Sequence, residues 1–117
     1  MREIRGAIRH RPETEAHFQE RVQDLAEDHG WAWMHVPRSR VGRGARAGWR
    51  TNITGPLGSG WPDLFLARAG RCLWLELKTD AGYPDANQRR VHGILGQCGE
   101  VRVVRPRDWA ELVSLLA

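Results

Sequence analysis

Three charged residues occur at a spacing that could support phosphoryl-transfer chemistry. Asp63 opens one apolar run, and Glu76 and Lys78 close the next. If Ala69 and Gly70 form a two-residue hairpin turn, the strands pair so that Asp63 lies directly opposite Glu76 on one face. Lys78 is two residues beyond Glu76 and shares that face. A three-residue turn would break the match between the two acids.

Two adjacent carboxylates repel each other, and one of them would normally bind a proton. A divalent cation removes this conflict, and oxygen ligands with open positions suit Mg²⁺ or Mn²⁺. The Lys78 ammonium could hold or polarise a water molecule, or neutralise charge that develops on a phosphate. Glu15, on the inner side of an expected first helix, could complete the ligand set. These residues therefore predict metal-assisted phosphodiester hydrolysis.

The basic residues are unevenly distributed along the chain. Of the 18 Lys and Arg residues only Lys78 is a lysine, and the formal net charge is +4. No acidic residue occurs between Asp28 and Asp63, where five arginines lie. We interpret residues 37–60 as a long loop without regular period that contacts nucleic acid, the alternative being a solvated, disordered segment. The residues predicted to make this contact are Arg38, Arg40, Arg43, Arg46, Trp49 and Arg50.

The length of 117 residues fits one domain, which we place at 13–117 after a basic N-terminal arm at 1–12. No apolar run approaches the roughly 20 residues of a membrane span, and no secretory signal is evident. Two cysteines do not make a disulfide framework, so a reducing cytoplasm is expected.

Hydrophobic periodicity and turn residues predict an α/β domain with the element order α-β-β-β-α-β-α. Asp85 is the expected N-cap of the second helix. The predicted elements are a helix at 14–29, strands at 31–36, 62–67 and 72–79, a helix after 85, a strand at 101–104 and a final helix from 109.

The sequence GWPDL at 60–64, followed after a short hairpin by ELK at 76–78, resembles the PD-(D/E)XK nuclease superfamily. Glu15 in a leading helix and Gln88 in the helix after the motif strengthen the likeness. From Glu15 to RPRDW at 105–109, the pattern is most similar to the stand-alone VRR-NUC (virus-type replication-repair nuclease) domain common in phages. The resemblance covers nearly the whole chain except the N-terminal arm.

The resemblance implies a restriction-endonuclease-like αβββαβ core, with a mixed central sheet flanked by helices and a C-terminal helix. It implies DNA cleavage with Mg²⁺ or Mn²⁺ held by Asp63, Glu76 and the main-chain carbonyl of Leu77. Lys78 would assist the attacking water, and Glu15 and Gln88 would support the site. The basic stretch before residue 60 is longer than a minimal core needs.

The expected function is that of a metal-dependent DNA endonuclease that acts on branched or otherwise structured DNA. A homodimer presenting two active sites would help so small a domain to grip a junction. We expect no membrane partner and a cytoplasmic location, in the host cell if the chain is phage-encoded. The alternatives are a non-catalytic DNA-binding module and a nuclease subunit that is active only within a larger replication or recombination complex.

Overall fold

The computed structural model describes residues 12–41, 48–51 and 54–117, which form an α/β fold around a mixed four-stranded sheet. The sheet order is β1-β4-β5-β6, in which β5 and β6 are parallel and the other neighbours antiparallel. This confirms the predicted fold class, including the C-terminal helix. The helices are α1 (Glu15–Asp28), α2 (Ala86–Leu95) and α3 (Trp109–Leu116), and the strands are β1 (Ala32–His35), β2 (Arg38–Val41), β3 (Gly48–Thr51), β4 (Leu64–Arg68), β5 (Arg71–Leu77) and β6 (Glu100–Val104).

The β4–β5 hairpin has the two-residue turn expected from the sequence. Ala69 and Gly70 both have positive φ, 49° and 79°, as the central residues of a type I′ turn require. Strand pairing begins at Arg68 with Arg71 and ends at Leu64 with Leu75. The predicted register is thereby confirmed, and the next position beyond the ladder brings Asp63 opposite Glu76.

Successive side chains of β4 and β5 point to opposite sides of the central sheet, so its two faces differ in composition. On one face five leucines have no exposed surface, and they pack against Phe18 and Val22 of α1 and Leu112 and Leu116 of α3. Each buried leucine contributes about 2 kcal/mol to folding. The opposite face carries Glu76 and is covered by α2. The leucines are Leu64, Leu66, Leu73, Leu75 and Leu77.

Arginines hold the end of the sheet that lies away from Asp63. Arg68 lies over the Trp31 ring at 4.4 Å and donates to the carbonyl of Leu116, to which the Trp31 indole also donates. The opposed Arg71 donates two hydrogen bonds to Glu100 at 3.1 and 3.2 Å. The hydrogen bond from Arg71 lowers the pKa of the Glu100 carboxyl. This contribution to stability is therefore present above the ordinary pKa of Glu100 and is lost as the pH falls through the lowered value.

The prediction of a loop without regular structure over 37–60 was wrong. Strands β2 and β3 form an antiparallel ribbon, and a 3-10 turn follows at Gly58–Gly60. Arginine and glycine interrupt the short β-compatible runs in this stretch, so no period was visible in the sequence. In the ribbon Arg38 pairs with Thr51, and Arg40 with Trp49, at the Cα positions. Most of the N-terminal arm, residues 1–11, lies outside the described residues, as do Arg43 and Arg46.

Candidate active site

Glu76 is a fully buried acid on the face of β5 that α2 covers. The Gln88 amide nitrogen donates to its Oε2 at 3.1 Å, and the Lys78 Nζ lies 3.3 Å from the same oxygen. The His92 Nε2 lies 3.5 Å from Oε1. Nitrogen groups thus replace much of the hydration that the carboxylate loses on burial, a loss that otherwise costs several kcal/mol.

Gln88 joins the start of α2 to this carboxylate. The Asp85 side chain accepts from the Gln88 N–H at 2.8 Å, and the Gln88 Oε1 accepts from the Asp85 N–H at 2.9 Å. This reciprocal pair is a capping box, and it confirms Asp85 as the N-cap. Because the Gln88 Oε1 accepts the hydrogen bond from the Asp85 N–H, its amide Nε2 must face Glu76. One side chain, 1% exposed, therefore begins the helix and orients the acid.

Asp63 reaches from the start of β4 to the strand that carries Glu76. Its Oδ2 accepts from the Leu77 N–H at 2.7 Å, and its own carbonyl accepts from the Val36 N–H at 3.0 Å. In an extended strand, the N–H and C=O of one residue point toward the same neighbouring strand. The Leu77 carbonyl therefore lies on the Asp63 side of β5.

An open cavity of about 680 Å³ adjoins these acids. Asp63, Lys78 and Gln88 line it from the sheet and α2, and Glu15 lines it from α1. The structure therefore brings four of the five predicted catalytic residues to one cavity. The fifth, Glu76, lies behind Lys78 and Gln88 through the contacts described above. Side chains of the β2–β3 ribbon are outside the described part of the structure.

The donor set of the site suits a hard cation with few protein ligands. Within the described ranges, no group of three or more His, Cys, Asp and Glu side chains is placed to hold a metal ion. Glu15 therefore lines the cavity without joining Asp63 and Glu76 in a three-carboxylate cluster. Mg²⁺ typically binds through one or two carboxylates and completes its shell with water and substrate phosphate. Asp63, Glu76 and the Leu77 carbonyl fit that pattern, and Mn²⁺ accepts the same oxygen ligands.

No family model, curated protein or solved structure matches the chain. Its functional interpretation therefore depends on the fold and on the site geometry. As for membranes, none of the helices within residues 12–41, 48–51 and 54–117 has the length and apolar character needed to cross one.

Two residues at the site were not predicted from the sequence. His92 is not among the predicted site residues, yet it contacts Glu76. Its position four residues after Gln88, on the same face of α2, was the available signal. Tyr83 lines the cavity from the loop before α2, and an isolated tyrosine in a turn-rich segment gives no periodic signal.

Gln88→Glu tests whether the amide holds the buried acid. Glutamate also suits this position of a capping box, so the start of α2 should form. Its carboxylate would, however, lie beside Glu76 at about the 3.1 Å of the present contact. We expect the free energy of unfolding at pH 7 to fall by about 2–3 kcal/mol, measured by denaturant unfolding. The control is Ala86→Glu, which adds the same charge at an exposed position of the same helical turn, and equal stability of Gln88→Glu and the wild type would contradict the contact.

Proposed function

We propose that this protein is a Mg²⁺- or Mn²⁺-dependent deoxyribonuclease of the PD-(D/E)XK type, related to stand-alone VRR-NUC domains. The observation that carries the proposal is the pair of opposed acids, Asp63 and Glu76, with Lys78 beside them at an open cavity. Both acids are buried, and a divalent cation bound between them would relieve the repulsion between two adjacent carboxylates.

Each residue of the site has a role in this proposal. Asp63, Glu76 and the Leu77 carbonyl would hold the cation, which when bound would polarise the phosphate and lower the pKa of water. Lys78 would hold the attacking water or neutralise charge on the phosphoryl oxygens. Gln88 would keep Glu76 in its orientation through the amide contact. Glu15, which also lines the cavity, would contact water or the phosphate shell.

The proposed substrate is DNA, branched or otherwise structured, cut within the strand. Support comes from the acid-free stretch between Asp28 and Asp63, whose arginines could neutralise phosphates. Part of that stretch forms the β2–β3 ribbon, which precedes the PD motif in the chain. We further propose action in the cytoplasm, that of the host if the chain is phage-encoded, and a homodimer that presents two sites to one junction.

Lys78→Ala tests the chemistry of the site. We expect wild-type protein with Mg²⁺ or Mn²⁺ to cleave DNA, and the variant to cleave at least about a hundredfold more slowly, the usual contribution of a group that handles a proton or developing charge. The measurement is single-turnover cleavage of labelled four-way junctions and linear duplexes. Arg102→Ala, which removes a charge from the exposed face of β6, should cleave at the wild-type rate. Equal rates for Lys78→Ala and the wild type would remove the proposed mechanism.

The same basic stretch favours a second candidate, a non-catalytic DNA-binding module. This candidate predicts salt-sensitive DNA binding without metal-dependent cleavage, and binding that survives loss of the acids. A nuclease subunit that needs a larger replication or recombination complex would also fail to cleave alone. If an added partner fraction restores cleavage by the wild type but not by Lys78→Ala, the protein is a nuclease subunit of this kind.

A further inference from the structure

The loop at 79–84, between β5 and α2, is fastened to the body of the protein by arginines. The Arg105 guanidinium donates to the Gly82 carbonyl at 2.9 and 3.2 Å. Arg107 donates to the Asp80 carbonyl at 2.9 Å, and Arg89 donates to the Pro84 carbonyl at 2.7 Å. The loop is thus held from α2 and from the segment after β6.

This fastened loop presents one aromatic ring to solvent. Tyr83 is 74% exposed and lines the same cavity as Asp63 and Lys78. The Arg105 guanidinium carbon lies 5.0 Å from the centre of the Tyr83 ring, as in a cation–π contact. Since most of the residue is accessible, the ring face turned away from Arg105 is open. A flat apolar surface is therefore accessible at the cavity.

Three arginines contact the loop that carries the ring, and the loop itself contains Asp80 and is followed by Asp85. Arg89, Arg105 and Arg107 donate to main-chain carbonyls in the loop, and a carbonyl is neutral. Those hydrogen bonds fix the guanidinium groups without cancelling their charge. An exposed aromatic ring with the Arg105 guanidinium beside it has the two components with which proteins bind single-stranded nucleic acid, a surface for base stacking and a positive charge for the backbone.

We infer that Tyr83 is a stacking platform for one unpaired DNA base, beside the phosphate that enters the Asp63–Lys78 cavity. A base inside a continuous duplex has both faces covered by its neighbours, so it cannot stack on the ring. The substrate class is then a strand with at least one unpaired nucleotide next to the cleaved bond, in a gap, an overhang or a branch. The location beside a scissile phosphate rests on the proposed nuclease function, whereas base binding at Tyr83 does not.

The test uses the full chain in EDTA, so that no cleavage occurs, with oligonucleotides carrying 2-aminopurine. We expect wild-type protein to bind the single strand and quench its fluorescence. Tyr83→Phe keeps the ring and should bind within about twofold of the wild type. Tyr83→Leu keeps an apolar side chain without a ring, and should lose about tenfold to a hundredfold in single-strand affinity. Its affinity for a blunt duplex and its melting temperature should be unchanged.

Three results would overturn the platform: no single-strand binding by the wild type, full binding by Tyr83→Leu, or an equal loss for single strand and duplex. Because the assay needs no catalysis, it is independent of the nuclease proposal. Tyr83-dependent binding in a protein that never cleaves DNA would support the platform and contradict the nuclease. Metal-dependent cleavage by the wild type, together with full single-strand binding by Tyr83→Leu, would support the nuclease and contradict the platform.

Discussion

Glu76→Gln is expected to reduce DNA cleavage by at least about a thousandfold and to abolish stabilisation of the protein by Mg²⁺. The carboxylate supplies the buried negative charge of the proposed cation site, and an amide is a much weaker ligand. A thousandfold loss corresponds to roughly 4 kcal/mol of transition-state stabilisation. Mg²⁺ at a hundred times its dissociation constant should stabilise the wild type by about 2.7 kcal/mol, and the variant by nothing measurable.

The fold should survive this substitution, because glutamine has the shape of glutamate and finds partners at the same site. Its amide oxygen can accept from Gln88 and Lys78, and its NH₂ group can donate to His92. Single-turnover cleavage and thermal unfolding with and without Mg²⁺ are the two measurements. A variant that still cleaves, or that Mg²⁺ still stabilises as in the wild type, would exclude Glu76 as a ligand.

Gly60→Ala should destabilise the protein by about 2–3 kcal/mol. A Cβ at this position would lie 2.5 Å from the Val91 Cγ2 and 2.6 Å from the Asn87 carbonyl oxygen. The backbone before the PD motif therefore touches α2 directly, and the added methyl group must push the helix away. Overpacking of a fitted contact costs about 1–3 kcal/mol. The backbone atom at Asn87 cannot rotate aside, so we expect the upper part of that range from denaturant unfolding.

Gly93→Ala is the matched control on the same helix. Its Cβ would meet nothing within 4 Å, and alanine replaces glycine inside a helix with a gain of about 0.5–1 kcal/mol. The two variants therefore add the same atom and should shift stability in opposite directions. Equal changes in the free energy of unfolding for the two variants would mean that α2 does not lie against Gly60. Because Gln88 is on this helix, Gly60→Ala should also weaken Mg²⁺ binding.

The hairpin and its acids could be predicted because a short turn propagates its geometry along both strands. Once Ala69 and Gly70 form a two-residue turn, the position of Asp63 relative to Glu76 is determined by counting. The capping role of Asp85 was also visible, since it depends on residues three apart. These are local rules that need no knowledge of the tertiary packing.

The remaining features depend on contacts between distant segments. The approach of α2 to Gly60 brings together residues about 30 positions apart, and no sequence period reports it. His92 contacts Glu76 for the same reason, because α2 packs over β5. The β2–β3 ribbon was missed because arginine and glycine, which dominate that stretch, are weak β-formers.

The double use of Gln88 has a consequence for the energetics of the helix. Its side chain closes the first turn of α2 and also solvates a buried negative charge. Fraying of that turn would withdraw the amide from the carboxylate, so local opening carries an electrostatic penalty in addition to the lost cap. Anything that binds Glu76 in its present orientation is thermodynamically linked to the integrity of the first helical turn. In this protein the beginning of a helix, usually its least stable part, belongs to the same cooperative unit as the site.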